Sequence, residues 1–270
     1  MKYYKRLRPS LGTFVEIGTR EKSVNKECAI DEAFNAIARV NKLLSFHNPN
    51  SELSRLNNSY GKVIELHPLS MRVLKLAKLI GQYSNGLFNC TVAGILVDKG
   101  VLPNHFDSDF LKSGNCNDIE LYKNHARLCR PVLISLDGIA KGYAVDYAIF
   151  TLKKHGLETG WVNAGGDLRV YGDILLPTQR RELTGGFSNL GNLHNAALST
   201  SWIKPHHDQT YPGWIVAGNK GKPVEGTWSI LAKKSWLADA LTKVAGLVTQ
   251  EKRSILIEQL GGKLVQPVSS

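Results

Sequence analysis

The sequence predicts an α+β fold in one compact domain, and three observations carry that expectation. Helical and strand-like periodicities alternate unevenly along the chain instead of in a regular βαβ rhythm. Glycine-punctuated turns separate short apolar segments through much of the second half. No repeat, low-complexity stretch or Pro/Ser-rich linker divides the 270 residues, so the chain is read as a single domain spanning 1–270.

Element by element, Leu11 to Gly18 reads as a strand. Cys28 to Leu44 follows as an amphipathic helix, with Ile30, Ala33, Phe34, Ile37, Val40 and Leu44 at i, i+3 and i+4 spacing. A polar loop covers Ser45 to Asn57. Ser70 is the expected cap of a second helix, which carries Met71, Leu74, Ala77 and Ile80 on one face and ends near Gly86. Residues 100–130 read as a polar surface excursion. Leu128 to Leu136 is then a strand, Ala140 to Lys154 a helix, and Gly160 to Gly172 a strand, an Ala-Gly-Gly turn and a second strand. Residues 173–227 are expected to form short strands and loops, Trp228 to Lys233 a strand, and Trp236 to Val248 a helix.

Bulk properties exclude several function classes. No window approaches the ~18 unbroken apolar residues of a membrane span. The basic N-terminus lacks an apolar signal region, so a cytoplasmic location is expected. Cys28, Cys90, Cys116 and Cys129 are scattered without a CxxC pair and read as reduced, structural thiols. The net charge of +11 favours an anionic ligand. The cations are dispersed, however, do not alternate with aromatics, and accompany no nucleic-acid motif, so a nucleic-acid partner is not expected.

Two segments carry the functional signal: Ser135-Leu-Asp-Gly-Ile-Ala-Lys-Gly-Tyr-Ala-Val-Asp146 and Val162-Asn-Ala-Gly-Gly-Asp-Leu-Arg169. Glycines let a backbone approach a ligand closely or take positive φ. Lys141 opens a helix whose N–H groups and dipole favour an anion. Taken alone, these residues leave two readings open: a phosphate-bearing ligand, or ordinary turn glycines beside a solvated lysine.

In order along the chain, these motifs resemble the ApbE family of Mg-dependent FAD:protein FMN transferases. The matching segments are Leu11-Gly-Thr13, Ser45 to Asn57, Gly86-Leu-Phe-Asn-Cys-Thr-Val92, Gly138 to Asp146, Val162 to Asp167, Ala197-Leu-Ser-Thr-Ser201 and Leu237-Ala-Asp-Ala-Leu241. The resemblance implies two packed α/β halves with a flavin cleft between them. It also implies FAD and Mg²⁺ as cofactors, and an acceptor flavoprotein whose threonine attacks the FMN phosphorus and releases AMP. Members of the family are commonly exported, which bears on the expected location.

The resemblance also assigns roles to residues. Leu11 and His47 lie where family members contact the flavin, and Asn57 and Thr91 where hydrogen bonds reach the ligand. Lys99, Gly100 and Val101 lie where the adenosine end is held. Asp137, Gly138, Lys141, Gly165 and Gly166 fall in the cofactor-binding turns, Lys141 also meeting the diphosphate as a catalytic point charge. Asp239, Thr242 and Ala140 fall at the metal position, Asp239 being the hard oxygen ligand that Mg²⁺ prefers.

Three departures from the family pattern are visible. Ser135-Leu-Asp-Gly138 replaces the family's Asp-Leu-Gly-Gly, moving the acid two places to Asp137, which on an extended segment keeps the same face. Lys243 stands four residues after Asp239, where the family has a threonine. Trp214 and Ala217 stand where the family has a histidine base and an aspartate, which makes His207 of His206-His207-Asp208 the candidate replacement base. An FAD-binding carrier without transferase activity and an FAD pyrophosphatase are the alternative functions.

Overall fold

A computed structural model describes residues 3–204 and 215–268. The chain first forms a hairpin, β1 (Tyr4–Ser10) and β2 (Thr13–Thr19), joined by the two-residue turn Leu11-Gly12. A strand was expected to begin at Leu11, where the turn is found instead. The basic residues before it form an edge strand, a position that tolerates both charges and Pro9. Arg6 and Arg8 of β1 reach Asp31 of α1 (Lys26–Leu44), whose apolar stripe is buried as its period dictates.

The segment expected as a polar loop contains α2 (Glu52–Asn57), capped by Ser51, whose hydroxyl accepts the Ser54 N–H at 3.0 Å. After β3 (Ile64–Glu65), α3 (Pro68–Tyr83) starts two residues before the expected cap. His67 caps it, Pro68 occupies the first turn, and the Ser70 hydroxyl donates to Glu52 at 2.6 Å. Next come α4 (Ala93–Asp98), β4 (Ile119–Leu121) and β5 (His125–Leu128). The polar 100–130 region is therefore partly regular: β3, β5 and β4 make a small antiparallel sheet in that order. The strand expected through Leu136 ends at Leu128, and the buried segment after it runs irregularly.

The helix α5 (Ala140–Lys154) has the expected bounds, and β6 (Gly160–Ala164) and β7 (Asp167–Tyr171) form the expected strand, turn and strand. A hairpin of β8 (Leu176–Arg181) and β9 (Phe187–Leu193) follows, then β10 (Ala197–Ile203) and β11 (Gly226–Ala232). The helix α6 (Ser235–Ala245) stops short of Val248, and α7 (Gln250–Gln259) and β12 (Gly262–Val265) come after it.

The main sheet has the order β1-β2-β6-β7-β10-β11-β12, with every neighbouring pair antiparallel. Strand alternation gives it two apolar faces. Val15, Ile17, Val162 and Ala164 join the large core with α1 and α5, through residues such as Ile30, Ile37, Val145 and Ile149. Trp161, Leu168, Val170 and Leu198 form a second cluster on the opposite face, covered by Leu193 and Leu176 of the β8–β9 hairpin. This is the α+β single domain that the sequence predicts. Among the described residues no helix is long and apolar enough to cross a membrane.

Candidate functional site

Two hairpin turns and the start of one helix meet at a cleft. In the β1–β2 turn Leu11 and Gly12 have φ of 55° and 70°, the positive pair that matches the twist of a two-residue hairpin. Gly suits such a position; leucine there costs about 1–2 kcal/mol of backbone strain. In the β6–β7 turn Gly165 and Gly166 have φ of 61° and 101°. A Cβ on Gly165 would lie 2.6 Å from Thr13 Oγ1, so the absence of a side chain lets the two turns pack side by side.

The cleft consists of two adjoining cavities that share Asp137 and Lys141 as a common wall. One, of about 310 Å³, is lined by Phe88, Asn89, Gly138, Gly165, Trp202 and Lys243 among others. The other, of about 420 Å³, is lined by Leu11, Gly12, Asn41, His47 and Ala140. Cys90 also borders the first, its thiol pushed up to about 12 by burial and therefore held as an unreactive S–H.

Two lysine–aspartate pairs form the charged floor. Lys141 Nζ of α5 lies 3.0 Å from Asp167 Oδ2 of β7. Asp167, with help from Asp239 and Asp137, raises the lysine's pKa and outweighs the opposing effect of burial, so the ammonium stays charged. Lys243 Nζ lies 2.5 Å from Asp239 Oδ1 within α6 and donates to Ser201 Oγ at 3.2 Å. Burial raises the Asp239 carboxyl's pKa and the neighbouring Asp167 adds to the rise, while Lys243 and Lys141 oppose it.

Helices α5 and α6 hold each other by exchanged carboxylates. Asp239 of α6 accepts the Gly142 N–H in the first turn of α5 at 3.1 Å, and Asp146 of α5 accepts the Trp236 N–H in the first turn of α6 at 3.0 Å. Asp146 also pairs with Arg169 of β7. Gly142 makes the approach possible, since a Cβ there would stand 2.4 Å from the Ser235 carbonyl. The start of α5, which the sequence presents as an open anion site, thus receives one anion from the protein itself.

The structure brings Leu11, His47, Asp137, Gly138, Ala140, Lys141 and Gly165 to the cleft. Gly166 lies on a neighbouring groove beneath the β8–β9 hairpin, which shares Gly165, Thr200 and Trp202 with the first cavity. Asp239 and Thr242 are fully buried behind Lys243. Asn57 is not brought to the cleft: its amide grips the Ile134 backbone, donating to the carbonyl at 2.9 Å and accepting the N–H at 2.8 Å. Thr91 is buried with its hydroxyl donating to Asn89 Oδ1 at 2.7 Å, and Asn89 lines the cavity in its place. Lys99, Gly100 and Val101 follow the end of α4 and line neither cavity. His207 lies outside the described residues, as does Trp214.

Sequence reasoning missed Asp167 and Ser201 as site residues. Asp167 closes the Ala-Gly-Gly-Asp turn, and an acid directly after a glycine pair was the available signal. The Asp239–Lys243 pair was legible as an i,i+4 spacing.

The all-antiparallel sheet, its one-sided helices and the lysine-floored cleft define an α+β protein whose cleft is suited to an anionic group. The chain belongs to the ApbE family, whose model matches residues 11–265. No curated protein matches it in sequence. Among solved structures it is similar to the Pseudomonas stutzeri flavinyl transferase ApbE in its apo form, at 19% identity, 96% of this chain and 88% of that chain covered, and a TM-score of 0.80. It is also similar to the flavin transferase ApbE from Vibrio cholerae, at 19% identity, 100% and 98% covered and a TM-score of 0.80. The ApbE protein from Thermotoga maritima matches at 19% identity, 99% and 97% covered and a TM-score of 0.81. At this identity the likenesses establish the fold.

Proposed function

We propose that the chain transfers the FMN moiety of FAD to a threonine hydroxyl of an acceptor flavoprotein, releasing AMP. The observation that carries this reading is the convergence of Lys141, Lys243 and two glycine-containing turns on one cleft within an ApbE-family fold. Phosphoryl-type transfer depends on positioning and charge neutralisation, and a pair of fixed ammoniums supplies both. The cavity bordered by Leu11 and His47 takes the flavin ring, and the wall at Lys141 takes the diphosphate. In the reaction the threonine oxygen bonds to the FMN phosphorus, the bond to AMP breaks, and AMP leaves with the bridging oxygen. The threonine proton passes to a base, for which His207 is the candidate.

Magnesium has no step in this reading, because the residues at the metal position do not fit the ion. Both Asp239 oxygens are engaged, by Lys243 and by the Gly142 N–H. The Thr242 hydroxyl donates to the Asp239 carbonyl at 2.7 Å and lies 2.8 Å from Ser201 Oγ.

The test is AMP release from FAD, measured with and without an acceptor protein. AMP in proportion to flavinylated threonine supports the transferase. Acceptor-independent AMP marks a pyrophosphatase, and bound FAD without AMP marks a carrier. Lys141→Ala is expected to weaken FAD binding about tenfold or more, as loss of a charged contact does; unchanged affinity in a fluorescence titration removes Lys141 from the site. His207→Ala is expected to lower turnover roughly 10²–10⁴-fold at unchanged FAD affinity. Equal turnover removes His207 from the reaction.

A further inference from the structure

Lys243 stands where a cation would stand if Asp239 were a metal ligand. Its ammonium contacts Asp239 Oδ1 and Ser201 Oγ, and its side chain lines the cavity beside Asp137 and Gly138. An ammonium has three N–H donors, so two held by the protein leave a third for whatever enters the cavity. Asp239 is fully buried and fixed from behind by the Gly142 N–H, which allows the carboxylate little freedom to turn toward a second cation. A divalent ion beside the ammonium would also meet like-charge repulsion.

We infer that Lys243 is the cleft's own tethered cation: its ammonium replaces a divalent ion at Asp239 and, with Lys141, meets the phosphates of the ligand. The inference rests on the proposed function for the presence of a diphosphate, though the exclusion of metal by Lys243 does not. Three carboxylates, Asp137, Asp167 and Asp239, accompany the two ammoniums at this cleft. Without Lys243 the vacated space faces Asp239 together with the hydroxyls of Ser201 and Thr242, hard oxygen donors of the kind Mg²⁺ and Mn²⁺ prefer.

The experiment has two arms on the full chain. In the first, Mn²⁺ is titrated without FAD and free ion is followed by electron paramagnetic resonance. Wild type is expected to show no Mn²⁺ site that depends on Asp239, whereas Lys243→Ala gains one that the further change Asp239→Asn removes. A wild-type site abolished by Asp239→Asn overturns the inference, and so does a folded Lys243→Ala that gains nothing. If Lys243→Ala does not fold, the wild-type comparison with Asp239→Asn still decides.

In the second arm FAD affinity is measured in chelator and in excess Mg²⁺. Wild type is expected to bind equally in both, while Lys243→Ala loses about tenfold in chelator and recovers with Mg²⁺. Wild-type binding that strengthens about tenfold with Mg²⁺ overturns the inference. Failure of every variant to bind FAD sinks the proposed function instead, and leaves the Mn²⁺ arm to judge Lys243.

Discussion

The two carboxylates exchanged between α5 and α6 use the same chemistry to different ends. Asp146 and Asp239 each accept a backbone N–H in the first turn of the opposite helix, and each is paired with a cation. Asp146 takes its cation from β7, as Arg169, whose guanidinium borders neither cavity of the cleft. Asp239 takes its cation from its own helix, as Lys243, whose side chain is part of the cavity wall. One contact is scaffold alone. The other joins the scaffold to the cleft, because its cation faces the cavity.

That contrast can be broken most forcefully at Asp239. Asp239→Ala removes a fully buried partner of Lys243 and the Gly142 N–H, and is expected to cost about 3–5 kcal/mol in urea denaturation. A loss under 1 kcal/mol would mean that Asp239 does not hold the helices together. Gly142→Ala tests the same contact sterically. Its Cβ would meet the Ser235 carbonyl, and a penalty of about 1–3 kcal/mol is expected, with the helices forced apart. Unchanged stability would show that α5 and α6 can slide without cost.

Asp146→Asn keeps most of the shape but weakens the pair with Arg169, and about 1–3 kcal/mol is expected. It should leave FAD affinity untouched, whereas Lys243→Ala should not; equal effects on binding would erase the distinction. The smallest change is Leu11→Gly, which relieves the positive φ and is expected to stabilise the fold by about 1 kcal/mol while weakening FAD binding. Tighter binding in this variant would remove Leu11 from the flavin contact.

Much of this arrangement was legible in the sequence where periodicity or glycine chemistry sets it locally. The stripe on α1, the bounds of α5 and the β6–β7 turn all follow from spacing within one segment. The edge strand β1 was not, because charged residues hid its alternation, and Arg6 and Arg8 make sense only once Asp31 is beside them. The small sheet was missed because β3 has two residues and its partner lies some sixty positions later. Asn57 shows the same limit at the site. The family resemblance suggested a ligand contact, while its partner is the backbone of Ile134, which no local pattern reveals.

The pairing of β2 with β6, Val15 opposite Ala164, also has a kinetic side. It joins segments nearly 150 residues apart, and the two turns that border the cleft sit side by side at one end of it. Closing so large a loop is slow, and no short stretch of the chain contains a partial version of the cleft. Ligand capacity should therefore emerge late in refolding, in step with the sheet as a whole.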